Sequence, residues 1–268
     1  MELHPIHTGM IKTNDNVTDT ILEALSRDGF KIEVKDIIAV TSKVVSVSEG
    51  RVVELKSITP SSRAYALSKR FNVLPELTEL IIREADTIIG GMDGVILTLK
   101  DNALIANAGI DKKNAGPGRV VLHPRDSSKT AEKIRKEILQ RTGKKVGVIV
   151  TDTRTQPLRI GTIGIALSAS GFEPIVDERG KPDLFCRPLR VTRRALADQL
   201  ATAAEILMGE TNECIPAVVI RDAPVTLNDK TPSPSALYVS PDECFYTKIL
   251  AGYKKGHPKT PAREKQRK

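Results

Sequence analysis

The 268-residue chain contains no tryptophan, only 3% aromatic residues and only three cysteines. The low aromatic content argues against a surface on which nucleic-acid bases stack, because such surfaces need exposed aromatic rings. The cysteines are far apart and lack CxxC spacing, so they predict neither a zinc site nor a disulfide framework. Reduced thiols in a cytoplasmic protein are the simpler interpretation.

Long apolar runs and common phosphate-binding motifs are also absent. No stretch approaches the roughly 18 apolar residues of a membrane-spanning helix, and the N-terminus "MELHPIHTGMIK" lacks the apolar region of a signal peptide. The patterns GxxxxGK[ST] and GxGxxG do not occur, so we predict neither a P-loop nor a Rossmann dinucleotide site. No spacing of the four histidines argues for a Cys–His or Ser–His pair.

The net charge of +8 is concentrated at the C-terminus, where residues 254–268 hold seven Lys and Arg residues and one Glu. The rest of the chain is close to neutral, which weakens a nucleic-acid interpretation. We expect this tail to be disordered and dispensable for chemistry. A tail that binds RNA or an acidic partner is the alternative.

Helical and strand patterns are mixed along the chain. The clearest helices are "DSSKTAEKIRKEILQRTGKK", with Ser127 or Ser128 as cap and Gly143 as its end, and "VTRRALADQLATAAEILMG". Strands are predicted in "DIIAVTSKVVSV", interrupted at Thr41–Lys43, in "GVILTLKDNALIANAGID" and in "KVGVIVTDT". Several strands are apolar throughout, which indicates an α/β or α+β protein with both sheet faces covered.

Two carboxylates follow apolar strands. Asp111 ends "LIANAGID" and Asp152 ends "VIVTDT", which are positions where open α/β sheets place ligands. Together with Thr153, Asn107 and Asn114 they form an all-oxygen set that suits Mg²⁺ or Mn²⁺ better than zinc. The competing interpretation is that each aspartate only caps a turn. Arg159, beyond the second strand, could hold a carboxylate or phosphate, or could be a solvated loop arginine.

Five segments occur in the order of the motifs of one family. They are "IIAVTSKVVSVSEGR", "NAGIDKKN", "GVIVTDT…PLRIG", "ALADQLATAAEILMG" and "IPAVVIR". From about His4 to Arg221 the chain resembles the coenzyme F420-0:L-glutamate ligases, also called gamma-glutamyl ligases. The resemblance implies an intertwined, homodimeric α/β ligase fold, with residues 1–253 as one catalytic unit of two subdomains.

The resemblance also implies a reaction and a site. Such enzymes use GTP to add L-glutamate through amide bonds to the deazaflavin coenzyme F420-0, with Mg²⁺ or Mn²⁺ and an associated K⁺. By this likeness Arg159 faces the substrate acid and the metal ligands are Asp111, Asp152 and Thr153. The implied guanine-nucleotide site comprises Thr8, Gly9, Met10, Ile11, Ser42, Lys43, Asn114, Met208, Gly209, Glu210, Thr211, Asn212 and Glu213.

The sequence departs from the family pattern at several positions. Where the family usually reads "TDTFGRPWR" this chain has Thr155, Gln156 and Leu158, and a family lysine is replaced by Val47. In the family's "PEDPD" segment only Asp126 is kept. These departures leave two alternatives open. The protein could be a paralogous ligase acting on a different acceptor acid, or a non-catalytic regulator that binds guanine nucleotides.

Overall fold

Residues 1–246 are the part of the chain that the structure, a computed structural model, describes. Contacts group Met1–Tyr238 into one compact unit and the residues from Val239 onward into a second. The predicted basic tail, residues 254–268, lies outside the described residues. No helix in the described part is long and apolar enough to cross a membrane.

Twelve strands form within residues 1–246. They are β1 (Glu2–Ile6), β2 (Ile37–Thr41), β3 (Val52–Glu54), β4 (Thr87–Met92), β5 (Val95–Lys100), β6 (Ala103–Ala106), β7 (Arg119–Val121), β8 (Gly147–Thr155), β9 (Thr162–Ser170), β10 (Ile175–Asp177), β11 (Arg193–Ala195) and β12 (Ala217–Arg221). Five of them make the central sheet, in the order β1-β12-β2-β8-β9. The β2–β8 pair is parallel, and the other pairs among the described strands are antiparallel.

Six α-helices lie wholly within the same part of the chain. They are α1 (Val17–Arg27), α2 (Ser42–Ser48), α3 (Ser62–Phe71), α4 (Pro75–Glu84), α5 (Ser127–Thr142) and α6 (Leu196–Met208). Short 3₁₀ turns lie at Leu55–Ser57, Asn107–Gly109 and Pro234–Leu237. Helix α5 begins after Asp126, which accepts a hydrogen bond from the Lys129 N–H, and ends at Gly143 in the left-handed conformation.

The central sheet is covered on both faces, as the apolar strands predict. Alternate residues of a strand point to opposite faces, so Ile38 and Val40 pack against α1 and α5 in one core cluster. Ile37 and Ala39 pack on the other side against α6. The result is a three-layer α/β arrangement, which confirms the predicted fold class.

Residues 52–122, between α2 and α5, build a smaller set of elements with its own core. Strands β3 and β7 pair with each other, β4, β5 and β6 form a three-stranded sheet, and α3 packs on α4. Their shared core contains Phe71, Leu77, Ile81, Ile96 and Val120, all buried. A long insertion thus separates β2 from its parallel neighbour β8.

Several predicted boundaries are wrong. The second half of "DIIAVTSKVVSV" is helix α2, which places Val45 in the main core. The cap of α5 is Asp126 and not Ser127 or Ser128. The predicted helix "VTRRALADQLATAAEILMG" starts too early: its first residues include the short strand β11, and α6 begins only at Leu196. The predictions that Asp111 and Asp152 end strands are also wrong: β6 ends at Ala106, and β8 continues to Thr155 in a hairpin with β9.

Candidate active site

Polar residues of β8 and α2 meet where the parallel pairing of the sheet stops. Thr41 of β2 lies opposite Thr151 of β8, so Ser42 and Asp152 follow at the same edge. Asp152 therefore lies at the predicted edge of the sheet although β8 continues. Beyond Thr151, β8 pairs only with β9 and no longer with β2. The Ser42 hydroxyl donates a hydrogen bond to Asp152, and the Thr153 N–H donates to the same carboxylate at 2.8 Å.

The predicted nucleotide-binding loops reach this edge as well. Strand β12 begins there, because Ala217 pairs with the last residue of β1 and with β2. The loop 208–213 that precedes β12 and the segment 8–11 that follows β1 consequently lie beside one another at the edge. Met10 is 85% exposed, and Gly9 has positive φ with open space around it.

Residues 111–114 join the edge through three direct contacts. Lys43 Nζ lies 2.9 Å from Asp111 Oδ2, and Lys113 Nζ lies 2.8 Å from Glu210 Oε2. The Asn114 side-chain amide donates to the Thr211 carbonyl at 2.8 Å. The structure thus brings together the predicted metal ligands and the predicted nucleotide residues from five separate segments.

The segment "NAGID" owes its shape to three successive residues with positive φ. Asn107, Ala108 and Gly109 have φ of 51°, 55° and 74°. Asn107 Oδ1 accepts from the Ile96 N–H at 2.9 Å, and a Cβ at Gly109 would lie 2.5 Å from His123 Cδ2. Only glycine fits there, because both the conformation and the space exclude a side chain. The bend carries Asp111 to its bridge with Val121 and so to the edge of the sheet.

Burial raises the pKa of Asp152 to about 6. The hydrogen bonds from Thr153 and Ser42 oppose this shift, the charge of Asp111 adds to it, and Lys43 opposes it. The neighbouring protein groups therefore offset only part of the cost of ionising Asp152, and a bound cation would favour its ionised form.

Glu205 on α6 is a member of the site that the sequence analysis did not include. Burial, and then the charges of Glu210 and Asp152, raise its pKa to about 7. Its Oε1 is buried and has no hydrogen-bond partner within residues 1–246. A signal was present in the sequence: Glu205 stands four residues after Ala201 and three before Met208, both on the buried face of the helix.

The pKa of Glu210 is shifted in the opposite direction to that of Glu205. Burial works against its ionisation, but hydrogen bonds from Lys113, Thr153 and Thr162 outweigh burial and lower its pKa. The site therefore holds four interacting carboxylates, Asp111, Asp152, Glu205 and Glu210, against the two ammonium groups of Lys43 and Lys113. The excess of negative charge is the main electrostatic feature of this edge.

These groups fit a hard divalent cation by the chemistry of their donors. Among the described residues no three His, Cys, Asp or Glu side chains are arranged as a ready metal site. The predicted set, however, has two carboxylates and the Thr153 hydroxyl, all of them oxygen donors. The unpartnered Oε1 of Glu205 and the uncompensated charge of Asp152 indicate where further positive charge would be accommodated.

His123 lies next to the carboxylate cluster, close to Asp152. Its Nε2 lies 3.9 Å from Asp152 Oδ2, beyond hydrogen-bond distance. Burial, and then the nearby charge of Lys100, lower the pKa of the imidazole to about 4. The ring is therefore neutral at pH 7 and adds no positive charge to the site.

Arg159 is the predicted site residue that the structure does not bring into contact with the cluster. It lies in the exposed turn between β8 and β9, and its side chain has no partner among the described residues. Leu158 in the same turn has a positive φ of 60° and is fully exposed. A free cation and a free apolar side chain thus project from the hairpin beyond Asp152.

The layered fold and the charged cluster at the sheet edge are those of an α/β enzyme. The profile of the F420-0:Gamma-glutamyl ligase family matches residues 5–222, and the chain belongs to this family. It is therefore a ligase, an enzyme that forms C–N bonds, and the family's function is gamma-glutamyl ligation in coenzyme F420 biosynthesis.

Named relatives agree with this assignment. The chain is 38% identical to coenzyme F420:L-glutamate ligase of Methanopyrus kandleri, over 79% of this chain and 82% of the relative. It is 38% identical to the enzyme of that name from Methanococcus maripaludis strain C7, over 86% and 92% of the two chains. The corresponding values for Methanocaldococcus jannaschii are 41% identity over 73% and 79%.

Proposed function

We propose that the protein is a GTP-dependent ligase that joins L-glutamate to F420-0 by gamma-glutamyl amide bonds, through an acyl phosphate. The observation that carries this proposal is the convergence of Asp111, Asp152, Lys43 and two small-residue loops at one sheet edge in a member of this family. An oxygen-rich edge beside open backbone loops suits a metal–nucleotide complex.

The reaction begins with an unreactive carboxylate. One carboxylate oxygen of the acceptor attacks the γ-phosphorus of GTP, and GDP leaves. The amine of glutamate then attacks the acyl carbon, loses a proton and displaces phosphate. An enzyme for this sequence has to offset the charge of the triphosphate, align the γ-phosphate with the acceptor and exclude water from the acyl phosphate.

The residues at the edge can divide these tasks. Asp111, Asp152 and Thr153 would hold Mg²⁺ or Mn²⁺, which when bound would neutralise phosphate charge. Lys43 would turn from Asp111 towards a phosphate oxygen, because its ammonium already lies at the edge. The loops 8–11 and 208–213, with Ser42 and Asn114, would bind the rest of the nucleotide. The resemblance also implies K⁺, for which no residue is assigned.

Arg159 would act on the acceptor acid. Its guanidinium has no partner among the described residues and stands on the hairpin that carries Asp152. An arginine binds a carboxylate with two parallel hydrogen bonds, so it could hold the reacting carboxyl in line with the γ-phosphate. The role requires the hairpin to fold over the bound acceptor.

A homodimer is part of the proposal. Strands β10 and β11 form a two-stranded arm, and the segment between them exposes Leu184, Phe185 and Val191 by 98%, 77% and 85%. Large apolar side chains grouped on one projecting segment are typical of protein–protein interfaces. A second copy of the chain is the partner that the family resemblance implies.

The direct test is incubation with GTP, Mn²⁺, L-glutamate and F420-0, followed by mass spectrometry. We expect a product heavier by one glutamate residue, together with stoichiometric GDP. GDP formation that depends on another acid would favour the paralogous ligase, which the altered Leu158 turn supports. Bound GTP without any product would favour the non-catalytic regulator.

A further inference from the structure

A cavity of about 560 Å³ lies next to the charged cluster, on the side of His123. Its walls are the turn between β5 and β6, the first turn of α5, and residues 231–238. Cavities of this size accommodate ligands considerably larger than an amino acid. The cavity is therefore a poor match for glutamate and a good match for a larger substrate.

The lining of the cavity is mixed, with a few apolar residues among hydroxyl-bearing and charged ones. Ile105, Pro124 and Leu167 supply apolar surface. Among the described residues, the buried Ser128 Oγ has no hydrogen-bond partner, and neither has the hydroxyl of the half-buried Tyr238. Buried hydroxyls normally find partners, so the buried Ser128 hydroxyl, with the Tyr238 hydroxyl in the same lining, indicates a ligand with uncharged hydrogen-bonding groups.

The charged side chains around the cavity also favour an uncharged ligand. Lys100 and Lys129 are paired with Glu84 and Asp126, and Asp126 already caps the first turn of α5. Burial raises the pKa of Tyr238 to about 12, so its phenol is neutral at pH 7. The exposed Arg125 at the rim is the cation of the lining without a side-chain partner among the described residues. The Asp101 carboxylate of the lining likewise has no side-chain partner among the described residues, so the unpaired charges are of opposite sign and the distribution suits an uncharged ligand body.

The inner end of the cavity reaches the candidate active site. His123 lines the cavity, and its Nε2 is 3.9 Å from Asp152 Oδ2. The charges of Arg154 and Asp152 also act on the Tyr238 phenol, which places that residue within electrostatic range of the cluster. A ligand filling the cavity would present one end to the carboxylate cluster.

We propose that this cavity binds the uncharged body of the acceptor acid, and that Ser128 and Tyr238 determine which acid is accepted. The inference rests on the proposed function, because it supplies the acceptor subsite of that reaction. The reacting carboxyl lies at the His123 end, and the hydroxyl groups of Ser128 and Tyr238 pair with polar groups of the acceptor body.

The test compares Ser128→Ala, Tyr238→Phe and the double variant with wild type. Tyr65→Phe is the matched control, because Tyr65 is an exposed tyrosine on α3 outside the cavity. We expect the KM for F420-0 to rise about tenfold in the double variant, as two neutral hydrogen bonds are lost. The KM values for GTP and glutamate should stay within about twofold. A rise in the KM for GTP instead, or no change, would overturn the assignment.

Hydrogen exchange with F420-0 alone separates the cavity from the reaction. Peptides covering residues 123–129 and 231–238 should gain protection in wild type and lose that gain in the double variant. Turnover without protection would overturn the cavity assignment and leave the proposed function standing. Protection without turnover would overturn the proposed reaction and support the cavity. Absence of both would overturn both.

Discussion

At the scale of single residues, Asp152 is the most informative side chain. It is half-buried at an edge where Asp111 and Glu205 add negative charge, and desolvation together with the charge of Asp111 raises its pKa to about 6. A carboxylate that only capped a turn would not need such a setting. The question that decides its role is whether its charge is used to bind a metal.

The substitution Asp152→Asn keeps the shape of the side chain and removes its charge. If Asp152 binds the metal, turnover should fall by about 10²-fold or more, equivalent to roughly 3 kcal/mol of transition-state stabilisation. Thermal melting with and without Mn²⁺ and GTP should show a ligand-induced rise in Tm for wild type and none for the variant.

Asp198→Asn is the matched control, since burial also raises the pKa of Asp198 but its partner is the Ala166 N–H outside the cluster. It should keep the Mn²⁺-induced rise in Tm. An Asp152→Asn protein with normal turnover and a normal Mn²⁺ shift would show that the residue only caps a turn, because asparagine caps almost as well as aspartate.

Glu205→Gln tests the excess charge directly. An ionised Glu205 is unfavourable in the folded state because its pKa rises from 4.5 to about 7, so wild type loses stability as pH rises through that window. Below pH 4.5 the two proteins should melt alike. Above pH 7, without metal, the variant should be more stable by about 1–3 kcal/mol. Added Mn²⁺ should stabilise the variant less than wild type, and a variant that melts lower at pH 8 without metal would refute this account.

At the scale of elements, helix α4 is attached to the start of α3 by one buried carboxylate. Glu79 accepts hydrogen bonds from the Ser61 N–H and from Arg83 Nε, each at 2.9 Å. The Ser61 side chain, the Ser61 backbone and Arg83, in that order, lower the pKa of Glu79 to about 2. Since the folded pKa lies below the ordinary value of 4.5, the carboxylate stabilises the fold above pH 4.5 and loses that effect as pH falls towards 2.

Glu79→Gln should therefore lower Tm at pH 6, and the difference from wild type should shrink between pH 4.5 and pH 2. Circular dichroism melts across this range give the measurement. Glu76→Gln on the same helix is the control, because Glu76 has no ion-pair or hydrogen-bond partner among the described residues. A constant difference at all pH values would mean that the hydrogen bonds of Glu79 do not depend on its charge.

The elements also show what the sequence could predict. Helix α5 and the main part of α6 were identifiable because apolar periodicity and a terminal glycine agree there. Helix α2 was not, because "SKVVSVS" is rich in β-branched residues, which favour strands, and its helical form goes with the burial of Val45 in a core built from distant segments. Asp111 and Asp152 were placed at the correct edge, although neither ends a strand. The contribution of Glu205 depends on distant segments that no local pattern connects.

At the scale of the whole molecule, the proposed homodimer can be tested at the segment between β10 and β11, which exposes large apolar side chains. We expect wild type to be a dimer in sedimentation analysis and Phe185→Asp to shift it towards monomer, because a charge would be buried at the interface. Val34→Asp, at an exposed apolar position before β2, should leave the dimer unchanged. A monomeric wild type at micromolar concentration would contradict the prediction.

The parallel pairing of β2 with β8 has a consequence for the order in which the molecule acquires its properties. The two strands are separated by residues 42–146, and closing so long a loop to form a parallel pair is intrinsically slow. Ser42 and Asp152 become neighbours only through that pairing. If the edge binds Mn²⁺ as proposed, Mn²⁺ affinity should emerge during refolding from denaturant no earlier than this pairing, even when the helices, which are local in sequence, have already formed. The ion would then serve as a reporter of completed topology, distinguishing chains that have reached the native strand order from chains that have only become compact.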